Sequence, residues 1–256
     1  MAARVETTVE ERPEGRVARV LVCNAAKLNI LNSITMRALT AALRELGRDE
    51  GLRAVVLAGE GERAFIGGAD INEMARLDPD SARVFITTLH ETCAAIRSLP
   101  VPVIARMQGY TLGAGLEIAA ACDLRIAAVG ARMGMPEVRV GIPSVIEAAL
   151  LPPLIGWGRT RRLLLTGETI DAETALAWGL VEETGEELDA AIERVLSDIL
   201  ACGPRAIRLQ KGLIAEWEGR APEEAIRRGI ECFAESWTTA EPRERMAAFL
   251  ASKRRA

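Results

Sequence analysis

Apolar and polar residues alternate over 5–11 and again over 16–23, both rich in Val, which predicts two strands joined at the turn Pro13-Glu14-Gly15. The period then lengthens: Met36, Leu39, Leu43 and Leu46 recur at helical spacing, predicting a helix that runs from an N-cap at Ser33 to about Asp49. Ala54-Val55-Val56-Leu57-Ala58 is a short unbroken apolar strand, followed by a glycine-rich passage from Gly59 to Asp70 and by helices through Ser98. A further strand is expected over 101–105. Small residues over 109–115 lead into a helix over about 116–121, and 124–128 is again strand-like. Strands and helices alternate in this way to about residue 128, a pattern of α/β layer architectures. Beyond Pro143 the spacing is mostly helical, with a short strand near Val181 and helices over 187–201, 204–218, 222–236 and 241–253. Cys202-Gly203-Pro204 marks the expected boundary between an α/β core, residues 1–202, and a helical C-terminal region, residues 203–256.

Composition narrows the chemistry. With 256 residues, 49% of them apolar, the chain can bury a large core. Its 32 basic and 36 acidic residues leave a net charge of −4, which argues against nucleic acid as a general partner. The basic end Lys253-Arg254-Arg255 reads as a solvated tail. Five irregularly spaced cysteines without a CxxC fit reduced thiols in a cytoplasmic protein. Glu6, Glu10 and Glu11 near the start disfavour a transit peptide, and no uncharged run reaches the roughly 20 residues that span a bilayer. His90 is the only histidine, placed in a helix where a structural role is the commoner one. Ser-His-Asp or Cys-His machinery would have to run through it, and a His-rich metal site is ruled out. Acid–base chemistry therefore falls to carboxylates.

Two glycine-rich passages each follow a strand and open a helix: Ala64-Phe65-Ile66-Gly67-Gly68-Ala69-Asp70-Ile71 and Gly109-Tyr110-Thr111-Leu112-Gly113-Ala114-Gly115-Leu116-Glu117. Small residues there let backbone N–H groups approach a ligand, with a helix dipole behind them. Two converging loops could form an oxyanion hole; each could equally be a plain turn. A dinucleotide fingerprint fails because its third glycine position is Ile118. Glu117 and Glu137 are the acids nearest these loops, both in otherwise apolar stretches. Such acids either pair with a base or carry raised pKa values and perform chemistry, the alternative being a solvated helix face.

Together with Lys27-Leu28-Asn29-Ile30-Leu31-Asn32, Met135-Pro136-Glu137, Leu165-Thr166-Gly167-Glu168 and Ala177-Trp178-Gly179-Leu180-Val181, these loops resemble the crotonase superfamily, also called the enoyl-CoA hydratase/isomerase family. The resemblance covers nearly the whole chain. It implies a spiral of ββα units with a C-terminal helical region for trimer formation, often as dimers of trimers. It implies that the N–H groups of Ala69 and Ala114 hold a thioester oxygen and that Glu117 and Glu137 are the two acids of a hydratase. Lys27, Leu28, Arg63, Gly67, Asp70, Ile71 and Asn72 fall where coenzyme A is held, and Phe249 and Lys253 match C-terminal residues that reach a neighbouring subunit's CoA. The substrate implied is a 2-enoyl-CoA thioester, with no metal and no cofactor beyond the CoA it carries.

The chain departs from the family at three places. Asn72 stands where many relatives carry Lys, and Ala114 where Gly is commoner. Gly141-Ile142-Pro143-Ser144-Val145-Ile146-Glu147 replaces a Gly-Gly-Thr-rich passage that shapes the acyl pocket. Glu147 reads as a third polar group in that pocket or, preferably, as an acid at a helix N-terminus. Rival functions are an isomerase, decarboxylase or hydrolase of the same fold, for which Glu137 alone can suffice, and a non-catalytic acyl-CoA- or RNA-binding protein.

Overall fold

The computed structural model describes residues 3–253; Arg254 and Arg255 of the basic tail lie outside the described residues. Strands β1 (Arg4–Arg12) and β2 (Gly15–Cys23) form the expected hairpin, paired antiparallel from Arg4↔Cys23 to Arg12↔Gly15. Helix α1 (Ser33–Leu46) buries Met36, Leu39, Leu43 and Leu46 as the spacing predicts. Its N-cap is Asn32 rather than Ser33: the Asn32 side chain accepts the Thr35 N–H at 2.8 Å, the geometry a cap requires, and Ser33 is already helical.

The chain then winds through two sheets. Strand β3 (Leu52–Gly59) leads to β4 (Ala64–Ile66), the short helix α2 (Ile71–Met74) and α3 (Pro79–Ser98). Strand β5 (Val103–Met107) leads to β6 (Tyr110–Leu112) and α4 (Ala114–Ala121). Strand β7 (Leu124–Ala128) leads to β8 (Arg132–Gly134), then to 3-10 turns at Glu137–Val140 and Ile146–Leu150 and to α5 (Leu151–Thr166). After these come β9 (Thr169–Asp171), α6 (Ala172–Trp178), β10 (Glu183–Gly185) and α7 (Leu188–Ala201). One sheet has the order β1-β2-β3-β5-β7-β10, the other β4-β6-β8-β9. Three successive turns, β3-β4, β5-β6 and β7-β8, each give one strand to each sheet before a helix, the ββα repeat that the resemblance implies, while β1 and β2 before α1 both lie in the larger sheet.

All eight residues of β3 are buried, so Val55 and Leu57 pack on one face while Ala54 and Val56 pack on the other against Leu188, Ile192 and Leu196 of α7. Apolar side chains on both faces are what a central parallel strand needs. The larger core cluster ends at Val181 and the smaller at Leu200.

Helices α8 (Pro204–Trp217), α9 (Pro222–Ser236) and α10 (Glu241–Lys253) follow. Helix α8 is fastened by Lys211, whose buried ammonium donates to Asp123 Oδ2 at 2.7 Å and Val101 O at 2.8 Å, and by Arg208, which donates to the Asp49, Glu50 and Leu52 carbonyls. Helix α9 buries only Cys232, and the apolar side chains of Ile226, Ile230, Phe233, Met246 and Phe249 are exposed. No helix among the described residues is long and apolar enough to cross a membrane.

Candidate active site

Strands β4, β6 and β8 are parallel neighbours, so the segments leaving their C-terminal ends open on the same side of the sheet. Those segments carry Ala69, then Ala114 and Glu117, then Glu137. In open α/β sheets this is the end where ligands are held. The first segment is fixed by a bridge to Leu31, which donates to Gly68 O at 2.9 Å and accepts the Asp70 N–H at 2.8 Å. Because its two neighbours take up Leu31, the Ala69 N–H points away from it, and no acceptor among the described residues takes that N–H. Ala114 is the first residue of α4, where an N–H has no intrahelical acceptor, and it too has none among the described residues. The left-handed conformation at this turn belongs to Gly113, φ +52°, and Ala114 avoids it, so the alanine is accommodated without strain.

Glu137 begins the 3-10 turn after β8. The Gly113 N–H donates to Gly134 O at 2.9 Å, drawing the start of α4 against the end of β8. A side chain at residue 113 would collide with Glu137 Oε1. The other oxygen of Glu137 accepts the Ser144 hydroxyl at 2.8 Å. Glu117, one turn into α4, is 4% exposed and accepts the Ala148 N–H at 3.3 Å. Burial pushes its pKa up to about 8, and the nearby charge of Glu137 pushes the same way; the Ala148 N–H opposes both, and Glu147 adds to the rise. Glu117 therefore keeps its proton into the neutral range, as a carboxyl acting in acid–base chemistry does. Beside the two acids lies a cleft of about 590 Å³ with mostly apolar walls, among them Val145, Ile146, Trp157 and Leu164, and with Ser144 and Ala148 on its rim.

The remaining candidate residues fall into two groups. Lys27 ends an exposed 3-10 turn, Ala25–Lys27, whose loop is tied to the first glycine passage: the Gly67 N–H donates to Leu28 O at 2.8 Å. That N–H is thus engaged within the chain and leaves only the Gly67 carbonyl for a ligand. Arg63 is exposed at the entry to β4, and Asp70 caps α2, accepting the Asn72 N–H at 2.9 Å, with Ile71 and Asn72 exposed beside it. Phe249 and Lys253 lie on α10, with the Lys253 ammonium 4.8 Å from the Phe249 ring centre, in the C-terminal region rather than on the loops of the cleft.

Sequence reasoning missed several supports. Asn29, fully buried with φ +54°, accepts the Asn24 N–H and donates to the carbonyls of Glu60 and Ala64. Gln108 donates to the carbonyls of Gly59, Gly61 and Ala64. Glu147 does stand in the first turn of a 3-10 segment, but it is 6% exposed and bound to His90, not a solvated acid. The chain turns inward here because Ile146 adopts φ +37°.

The two-sheet ββα spiral is the architecture of the crotonase fold, and here it brings two carboxyls, and two N–H groups without an acceptor among the described residues, to the ends of neighbouring strands. Residues 12–255 match the model of the enoyl-CoA hydratase/isomerase family. The chain is 34% identical over 244 residues to a short-chain-enoyl-CoA hydratase of Clostridium acetobutylicum, covering 94% of each chain. It is 33% identical over 252 residues to a crotonyl-CoA hydratase of Syntrophomonas wolfei, covering 97% of this chain and 96% of the relative. The crystal structure of an enoyl-CoA hydratase from Bacillus anthracis superposes with a TM-score of 0.90 at 29% identity, over 96% of each chain. The chain belongs to the enoyl-CoA hydratase/isomerase family.

Proposed function

We propose that the protein is an enoyl-CoA hydratase, adding water across the 2,3 double bond of a 2-enoyl-CoA thioester. The observation that carries this reading is the meeting of Glu117 and Glu137 at adjacent strand ends, with Glu117 holding a proton up to about pH 8. Hydration needs one carboxylate to take a proton from water and one carboxyl to protonate the α-carbon, while oxygen bonds to the β-carbon. A pair that retains a single proton supplies both. Negative charge moves to the thioester oxygen as water adds, and in this reading the Ala69 and Ala114 N–H groups donate to it. Addition of water involves no redox change, and in this reading the two carboxyls and the two N–H donors carry it with no metal or cofactor apart from substrate CoA.

In this reading Lys27, Leu28, Arg63, Gly67, Asp70, Ile71 and Asn72 hold the CoA moiety, and the apolar cleft beside the acids takes the acyl chain. The exposed apolar faces of the helical region over 203–256 fit a homotrimer or dimer of trimers, in which Phe249 and Lys253 reach a neighbour's CoA. The free thiols fit a cytoplasmic protein. The test is a panel of short, long, branched and aromatic 2-enoyl-CoAs followed by loss of the conjugated-thioester absorbance. Hydration of at least one member is expected. Conversion of a 3-enoyl-CoA with no hydration of any 2-enoyl-CoA would assign an isomerase instead.

A further inference from the structure

Three side chains that hydration does not use meet behind Glu117. His90 and Cys93 lie one turn apart on α3, and Glu147 lies in the 3-10 turn Ile146–Leu150. Glu147 Oε1 is 2.8 Å from His90 Nδ1, while its Oε2 is buried without a hydrogen-bond partner among the described residues. A buried carboxyl with half its hydrogen bonding unmet is costly, so it persists where it does something for the surrounding structure. The turn that carries it is also strained: φ +37° at Ile146 is a conformation that a β-branched residue avoids, and such strain lasts only where neighbours enforce it. The next peptide but one is what this turn delivers. The Ala148 N–H donates to Val145 O at 2.9 Å within the turn and is shared with Glu117 Oε1 at 3.3 Å, the longer and more easily lost of the two bonds.

We propose that His90 and Glu147 form a clasp that holds the strained Ile146 turn against α3 and so positions the Ala148 N–H on Glu117. Both are positioning residues, and the proposal rests on the hydratase reading. The His90 side chain is 55% exposed, so one ring nitrogen faces water while Nδ1 holds the buried carboxyl. The groups facing Glu117 are Glu137, Glu147 with the Ala148 N–H, and the Cys93 thiol on α3, which burial keeps neutral by raising its pKa well above the usual thiol range.

These contacts give two variants opposite signatures. His90→Ala opens the clasp but leaves the Glu147 charge, so Glu117 loses an N–H that favours its ionised form. Glu147→Gln keeps an acceptor for His90 but removes a negative charge that disfavours that form. The experiment measures kcat and KM for crotonyl-CoA hydration by the full chain between pH 5 and 10. His90→Ala is expected to lower kcat about tenfold, with KM within about twofold, through misplacement of the acid. Its basic limb should move up by about half a pH unit, and that of Glu147→Gln should move down. His90→Asn, whose amide nitrogen can stand in for Nδ1, should restore kcat. Wild-type kcat and limb in both single variants would overturn the clasp, as would limbs that shift in the same direction. The Glu117 carboxyl is also titrated by 13C NMR in the same variants. If the wild type hydrates nothing, the hydratase reading fails and the opposite titration shifts alone decide the clasp.

Discussion

Helix α4 and helix α9 are built from the same chain on opposite terms. Every one of the eight residues of α4 is buried, including the acid Glu117, whereas α9 buries only Cys232 among fifteen. The first packs against β4, β6, α3 and the 3-10 turn at Ile146–Leu150, and close packing of this kind fixes where its acid sits. The second leaves Ile226, Ile230 and Phe233 more than half exposed, an apolar face larger than a solvated helix would carry by chance. Helix α8 stands between them, with Lys211 and Leu213 seated in the core and Ile214 and Trp217 outside it. The spiral encloses the helix that carries an acid, while the C-terminal helices keep an apolar face that the spiral does not cover.

The largest effect is expected at the acids. Glu117→Gln and Glu137→Gln should each lower kcat for hydration by on the order of 10²–10⁴, with KM little changed, since the Ala69 and Ala114 donors remain. The double variant should fall by less than the product. A Glu117→Gln enzyme with wild-type kcat would mean that the buried acid of α4 is not part of the chemistry.

A smaller effect with an opposite sign is expected on stability. The folded pKa of Glu117, about 8, lies above the ordinary 4.5 of the unfolded chain. The folded state therefore holds the proton more tightly, and the stability linked to it is complete below about pH 4.5 and drains away as pH rises toward 8. Glutamine does not titrate, so Glu117→Gln should be more stable than wild type by roughly 3 kcal/mol at pH 7, an upper figure from linkage. Urea unfolding at pH 4.5 and pH 7.5 checks this: the advantage should be near zero at the first and clear at the second. An advantage independent of pH would mean that burial of the charge is not its source.

The least effect on the fold is expected in the tail. Ile226→Ser with Ile230→Ser should shift sedimentation toward monomer while changing the stability of the spiral by less than about 0.5 kcal/mol, as surface changes do. A wild type that sediments as a monomer at micromolar concentration would remove the reason for its exposed face.

How far the sequence speaks depends on whether an element is made by its own residues. Helix α1, helix α7 and strands β1, β2 and β3 carry their periodicity over 8–14 residues and are legible directly. Strands β4, β6, β8 and β9 have three residues each, too few to display a period, and they exist only because their neighbours supply the hydrogen-bond ladder. The second sheet was therefore invisible, apart from what the resemblance implied. In the cleft, Glu117 and Glu137 stood out as charges in apolar runs. His90 and Glu147 are each conspicuous alone, but their pairing is not legible, because 57 positions separate them and only the fold brings them to 2.8 Å. Asn29 and Gln108 hold backbone carbonyls, and a carbonyl leaves no mark in a sequence pattern.

The bridge between Leu31 and Ala69 bears on how this chain can change length over evolution. Three distant stretches meet there in register: the loop after β2, the passage after β4 and, through β6, the start of α4. Adding or deleting one residue between Ala64 and Ala69 would exchange which N–H faces Leu31 and which faces the cleft, silencing a donor without unfolding anything. The turn between α2 and α3, with exposed Ala75 and Arg76, is free of that constraint and can lengthen. Indels among descendants of this sequence should therefore gather at 75–78 and be absent from 64–69.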